Sequence, residues 1–505
     1  MKKSIKNIIF GLLGQIITIA LGLVLPRMFI TSYGSEVNGM LSSVNNIFSY
    51  LALLEAGIGS ATIQALYGPL AKNNRDDING ILSATNLFYK RTGIIYFISV
   101  IVFSVVYPLC VTSEISPLTT ALVILFIGMG HAVNYFFQGK YKMLLQAEGK
   151  QYITSNVTTI VHVFVSVSKI ILISLGMSVV AITVAQFLLN IAQMIYYFIY
   201  IKRHYKWLDL KVTPNKASIS QSKNVVVHQV SNLIFHNTDT LILSIFCGFE
   251  AASIYALYNL FFEMISTMLN HFTAGFSYKI GQLCNSDEKK FKRYFEPWEQ
   301  YSMALSFAMY CVLFIFILPF IKVYTDGADI NYYDPILPIL FVTIKILVSG
   351  RATCGHIISF AGHFKKTQWR SVIEMILNIT VSISAVLILN PYGKGLYGVL
   401  IGTIVALLYR SNDMIIYSCR HILQRGIWKT YKRWIINIAL FVLMYWLSTF
   451  INMKLDSYIS LILWCIPVTA VVTIVFFAGA FISEPSSTKT TINLLKNKLT
   501  SRKSK

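Results

Sequence analysis

Nine ionisable side chains fall inside stretches that are otherwise apolar enough to cross a bilayer: Arg27, Glu55, Lys169, Asp239, Glu263, Lys345, Arg351, Arg410 and Asp413. A charge at the bilayer centre costs at least about 2.5–3.5 kcal/mol, so each of these groups needs a partner or water, and such residues mark substrate and ion pathways. Five of the nine are cations. Lys345 and Arg351 stand six positions apart, about 9 Å along a helix and roughly 120° around it, which suits two depths of one broad cavity. A cation-lined cavity fits a substrate with a phosphate or an acidic sugar, because arginine forks a phosphate through two donors and lysine acts as a point charge. Arg27, Lys169, Lys345, Arg351 and Arg410 are therefore the candidate substrate-binding residues. Glu55, Asp239, Glu263 and Asp413 are candidates for coupling H⁺ or Na⁺, or for pairing those cations when the cavity is empty.

Plainer roles stand beside these. Arg27 and Lys169 lie in outer thirds of their spans, where a long side chain snorkels to the interface. Arg410 and Asp413 are three apart and suit a local structural pair. Arg351 is mid-span with no acidic residue near it on its own helix. Glu374 is placed close to the inner face, solvated and outside the set. His131, His162, His228, His236 and His356 are more often packed or hydrogen-bonded than proton carriers.

The elements that hold these groups are spans of about 20 apolar residues, which cross hydrocarbon only as helices because a helix satisfies its own backbone polar groups. Fourteen are expected, at 5–31, 37–66, 80–108, 117–138, 151–175, 179–201, 224–247, 251–278, 300–322, 335–362, 370–389, 395–418, 434–451 and 457–482. The chain is thus an all-α polytopic membrane protein. With 55% hydrophobic residues in 505, a soluble domain could not cover its apolar surface.

Positive charge sets the orientation. The N-terminus, the loops after helices 2, 4, 6, 8, 10 and 12 with the helix ends that flank them, and the C-terminal tail carry 35 of the 43 Lys and Arg residues. The alternate loops carry Lys322, Lys394 and Lys454. Positive loops resist translocation, so both termini are expected in the cytoplasm. The net charge of +22 lies in short loops and suits anionic lipids, not nucleic acid. Seven scattered cysteines with no CxxC pair give neither a disulfide framework nor a metal site. The apolar run after Lys2, Lys3 and Lys6 is a retained first helix and not a cleaved leader.

An internal repeat sits at an offset of 214. Tyr33-Gly34-Ser35-Glu36 aligns with Cys247-Gly248-Phe249-Glu250, Asn45 with Asn259, and Phe48 with Phe262. Six spans separate the copies, so the halves share one orientation, and transporters built this way hold substrate between the halves and rock them. The expected organisation is an N-terminal half of helices 1–6 (1–201), a basic linker (202–223), a second half of helices 7–12 (224–418), helices 13–14 at the periphery (434–482) and a basic tail (483–505). There is no Walker A sequence, Rossmann fingerprint or HExxH, and no loop large enough for a catalytic domain. The expectation is a non-enzyme with no ATP site.

Three stretches carry a family resemblance: Arg27 to Ala71 (RMFITSYGSEVNGMLSSVNNIFSYLALLEAGIGSATIQALYGPLA), Ala361 to Ser384 (AGHFKKTQWRSVIEMILNITVSIS) and Tyr397 to Arg410 (YGVLIGTIVALLYR). With Glu55-Ala56-Gly57-Ile58-Gly59 in helix 2, they resemble the bacterial polysaccharide transporter family, the Wzx-type flippases of the multidrug/oligosaccharidyl-lipid/polysaccharide exporter superfamily. The resemblance covers most of the chain. It implies two pseudo-symmetric six-helix lobes around a V-shaped central cavity in the bacterial cytoplasmic membrane, with helices 13 and 14 as additions. It implies an undecaprenyl-pyrophosphate-linked oligosaccharide as cargo, turned to the outer leaflet for capsule, exopolysaccharide or O-antigen assembly. Ion gradients would drive it, with no cofactor, and a polysaccharide polymerase and glycosyltransferases would work beside it. Alternatives are a drug/cation antiporter of the same superfamily, which calls for an acidic cavity, and a peptidoglycan lipid-precursor flippase. A sugar-joining membrane enzyme needs a larger outer loop than any here.

Overall fold

Apolar runs of bilayer length can satisfy their backbone only as helices or closed barrels. Every regular element among the described residues is helical. The computed structural model describes residues 21–51, 58–111, 113–215, 237–286, 288–361, 363–451 and 453–485. Among them, nine helices are long and apolar enough to span a membrane. The expected helices 1, 2 and 7 lie partly outside the described residues.

Two compact units form. The first holds the described residues up to Ile254 together with Gly327–Ile330. It contains α1 (21–33), α2 (Ser35–Leu51), α3 (Ile58–Ala71), α4 (Arg75–Cys110), α5 (Pro117–Val133), α6 (Gly139–Ala147), α7 (Gln151–Ser174), α8 (Val179–His204) and α9 (237–246). A π turn, Asn134–Gln138, joins α5 to α6. The second unit begins within α10 (Gly248–Ser286) and contains α11 (Glu288–Tyr324), α12 (Ile336–Phe360), α13 (Phe364–Leu389), α14 (Gly395–Ser418), α15 (Trp428–Thr449) and α16 (Tyr458–Ser483).

Several helices outrun the bilayer. The 36 residues of α4 rise about 54 Å against a hydrocarbon core of about 30 Å. The surplus is its polar beginning, where Asn74 caps the helix by accepting from the Asp77 N–H. In the first unit the core is aromatic at one level: Tyr96 stacks near Phe48 and Tyr135, with ring centroids 6.2 and 4.7 Å away. A second cluster, built on Leu66, Ile78, Leu144, Tyr197 and Tyr205, packs the basic end.

The repeat is written in the backbone. Gly34, between α1 and α2, has φ +87°, and Gly248, which opens α10 just after α9, has φ +85°. That left-handed conformation favours glycine, which has no Cβ to clash. Both junctions belong to the first unit. There Ser35 at the start of α2 donates its N–H and Oγ to the Asp329 carboxylate at 2.8 and 3.0 Å, and Asn38 donates to Ser253 Oγ at 2.8 Å.

In the second unit α13 and α14 form a tight antiparallel hairpin turned at Asn390–Tyr392 and Gly393, where φ is +68°. Gly398 and Gly402, four apart on α14, allow the approach. A Cβ on Gly398 would lie 2.6 Å from the Val386 nitrogen, and one on Gly402 would lie 2.6 Å from the Ser382 Cα. Small residues at this spacing let helix backbones meet where lipid offers no hydrophobic drive to associate. Asn378 Nδ2 then reaches Thr403 Oγ1 at 2.9 Å across the seam. α15 and α16 pack on α11.

Candidate functional site

The hairpin of α13 and α14 closes on α12 and brings five charged groups into one network. On α13, Glu374 lies three positions from Ser371 and four from Arg370, close enough to share a face with each. Arg410 and Asp413 lie three apart on α14. Glu374 sits at the centre: Arg351 of α12 donates Nη2 to its Oε1 at 2.8 Å, and Arg410 Nε lies 3.2 Å from its Oε2. Arg410 also donates Nη1 to Asp413 at 2.8 Å and Nη2 to Ser371 Oγ at 3.0 Å. Arg370 pairs with the other oxygen of Asp413. Ser411 ties α14 to α12 by donating to the Leu347 carbonyl at 3.1 Å.

This network corrects the expectation that Glu374 is a solvated residue near the inner face. It is only 8% exposed. The physical reason is packing: α13 begins at Phe364, before the expected start at 370, and α12 and α14 close on the face that carries Glu374, giving it Arg351 and Arg410 as partners. Arg351, which has no acid near it on its own helix, takes one from α13. Sequence reasoning missed both Glu374 and Arg370. The available signal was their spacing of four, the arrangement by which an Arg and a Glu on one helix share a face.

The network holds three guanidiniums (Arg351, Arg370, Arg410) and two carboxylates (Glu374, Asp413). Its formal charge is positive by one. Arg351 Nη1 is buried with no hydrogen-bond partner among the described residues. A buried donor of this kind costs free energy until an acceptor reaches it. Six positions earlier on α12, buried Lys345 donates to Glu263 of α10 at 2.5 Å. The Glu263 side chain is 44% exposed against 9% for Lys345, so it is the accessible partner of that pair.

The first unit holds the other described members of the expected set. Arg27 lies on α1 and is half-buried, Lys169 lies on α7 and is half-buried, and Asp239 is buried on α9. Among the described residues Lys169 makes no ion pair. Glu55 lies outside the described residues. Two of the histidines expected to pack do so: His131 lies 5.6 Å from the Phe48 ring and His356 lies 5.6 Å from Trp298, whereas the buried Nδ1 of His162 has no hydrogen-bond partner among the described residues. His228 and His236 are outside the described residues. No group of three or more His, Cys, Asp or Glu among the described residues could hold a metal.

A separate buried cation stands at the basic end of the first unit. Lys140 of α6 donates to Asn86 Oδ1 at 2.6 Å. Burial, and after it the charge of Lys90, lower its ammonium to about 8.

Comparison with known proteins places this architecture. The structure of a multidrug resistance MATE family transporter of the MOP superfamily, inward-facing, superposes with a TM-score of 0.63 at 14% identity, covering 84% of this chain and 99% of that one. The lipid II flippase MurJ in an inward closed conformation gives 0.63 at 15% identity over 94% of this chain and 99% of that one. A MOP superfamily transporter from Pyrococcus furiosus, whose binding pocket is described as having reverse polarity, gives 0.53 at 14% identity over 83% and 95%. At these identities the likeness shows a shared fold. No curated protein sequence matches. Residues 4–278, more than half of the chain, match the family described as Polysaccharide biosynthesis protein. The chain is a multi-pass membrane protein with the fold of the MOP superfamily, and it belongs to the polysaccharide biosynthesis protein family.

Proposed function

We propose that this protein is a flippase. It moves undecaprenyl-pyrophosphate-linked oligosaccharide repeat units from the inner to the outer leaflet of the bacterial cytoplasmic membrane, by ion-coupled alternating access and without catalysing a covalent step. The observation that carries this reading is the charge of the α12–α13–α14 network. Three guanidiniums face two carboxylates, and the buried Arg351 Nη1 has no acceptor among the described residues. A diphosphate supplies what is short there, namely negative charge and several acceptor oxygens. The family match and the likeness to a lipid II flippase agree with a lipid-linked glycan as cargo.

In this reading Arg351 and Arg410 exchange part of their hold on Glu374 for the cargo's phosphates. Lys345 adds to the cationic surface of the second unit, and Arg27 and Lys169 of the first unit are further candidates to bind acidic sugars. Glu263, Asp413, Asp239 and Glu55 take up H⁺ or Na⁺, or hold the cations between cycles. A carboxylate released from an arginine is the natural place for a proton to bind, because losing the nearby positive charge raises its proton affinity. Both termini lie in the cytoplasm.

Arg351→Gln tests the reading. It should abolish surface polysaccharide while the protein still inserts at normal levels, and normal polymer from that variant would overturn the assignment. A peptidoglycan lipid-precursor flippase is the second reading, favoured by the fold likeness to MurJ. Viability of a deletion strain that lacks surface polysaccharide separates the two.

A further inference from the structure

On the flank of the first unit, α7 and α8 run antiparallel and leave a groove of about 430 Å³ between them. Tyr152, Asn156 and Phe164 form one wall, and Leu189, Tyr196 and Tyr200 the other. From Tyr152 to Phe164 the wall rises about 18 Å, close to half the thickness of a hydrocarbon core of about 30 Å. The groove is therefore about as long as one leaflet is deep. Its surroundings are lipid-facing, with Ile160, Phe164, Leu188 and Phe198 all exposed.

The groove has a charged mouth at the basic end. Residues 189, 193, 196, 200 and 203 repeat at intervals of four and three, so Arg203 continues the groove face of α8. Tyr196, Tyr200 and His204 stack along that face with centroids 6.2 and 4.2 Å apart. Lys202, Arg203 and Lys206 are exposed there. Across the mouth, Lys150 precedes α7 and is paired with Glu148 at 2.6 Å. Cations thus exceed carboxylates where a lipid headgroup would lie. One turn below the mouth stands Asn156, an amide at the depth of a glycerol ester.

We propose that the α7–α8 groove binds one anionic glycerophospholipid of the inner leaflet. One acyl chain fills the groove, an ester carbonyl accepts from Asn156, and the phosphate meets Arg203 and Lys202. The cytoplasmic side is the one the positive-inside rule gives to the basic loops. A polyprenyl phosphate fits less well, since it carries no ester carbonyl to meet Asn156 and its long chain would outrun a groove one leaflet deep. None of the groove residues is among those assigned to the cargo or to ion coupling.

The test uses the full chain in phosphatidylcholine nanodiscs doped with phosphatidylglycerol, with native mass spectrometry counting the lipids that stay bound. One phosphatidylglycerol per chain should be retained. Arg203→Gln, an exposed change that leaves folding untouched, should lower the preference for phosphatidylglycerol over phosphatidylcholine about fivefold, the scale of one basic residue at a membrane surface. Ala192→Trp, which fills the groove, should remove the retained lipid, and Ile160→Trp on the opposite wall serves if that variant folds poorly. Unchanged lipid retention in the filled-groove variants would overturn the site. An unchanged preference in Arg203→Gln, or displacement of phosphatidylglycerol by polyprenyl phosphate, would overturn the assignment to an anionic glycerophospholipid.

Discussion

Two ion networks lie in the second unit, and they are built to opposite ends. One joins α11, α15 and the end of α16. Glu296 and Glu299 of α11 and Glu484 after α16 face Arg425, Lys429 and Arg433. Three anions meet three cations, Glu299 is fully buried, and Thr430 donates to its Oε1 at 3.0 Å. Arg433 holds Glu484 through two donors, at 2.7 and 2.5 Å. This charge-balanced network fixes the two C-terminal helices to α11. The α12–α13–α14 network, by contrast, has more cation than anion. Each network leaves one buried arginine nitrogen without a hydrogen-bond partner among the described residues, Arg425 Nε in the first and Arg351 Nη1 in the second, so charge balance is what separates them. A balanced buried cluster acts as a staple, because any lost partner strands a charge. An unbalanced one is suited to exchange partners with a ligand.

Breaking the staple should give the largest effect. Glu299→Ala leaves Arg425 and Arg433 short of their shared carboxylate, and a loss of about 3–5 kcal/mol is expected, read as a large drop in melting temperature of the purified protein. Near-wild-type stability would show that the cluster is solvated and not a staple. Gly402→Leu should follow. It forces α13 from α14 and costs about 1–3 kcal/mol, and it should impair transport as well, because the hairpin sets Glu374 against Arg410. Thermal melts and surface polysaccharide in the same strains check both halves of that expectation.

A buried cation with no carboxylate partner among the described residues sharpens the contrast. Lys140 binds its proton less tightly folded, at about 8, than at its ordinary 10.5. Between those values the unfolded chain holds more protons, so stability rises with pH, by at most about 1.4 kcal/mol per pH unit. Lys140→Met should flatten that slope, measured as the difference in denaturation between variant and parent across the window. The smallest effect on stability belongs to Arg351→Gln, expected at about 1 kcal/mol or less because Arg410 still holds Glu374. Its loss of transport should be complete. A variant that melts like Glu299→Ala would make Arg351 a second staple and end the distinction.

Hydropathy and charge were enough to establish much of this. The alternation of basic loops, the boundaries of α12 and α14 to within a few residues, and the aligned glycines of the repeat are one-dimensional signals, carried by each segment's need to match the bilayer. Gly34 and Gly248 were legible because a left-handed turn restricts the residue itself, whatever surrounds it. Partner identity was not legible. Nothing near Arg351 in sequence names Glu374, and it is the packing of α12 and α14 on α13 that buries that carboxylate.

The sequence by itself determined that the chain crosses a membrane many times, that its halves repeat, and that it sinks ionisable groups where lipid would surround them. Only the tertiary structure decided which of those groups meet. Span length is a property of a local segment against its solvent. An ion pair depends on the rotation and depth of two helices packed together, which the seam of Gly398 and Gly402 sets here and no single helix can specify.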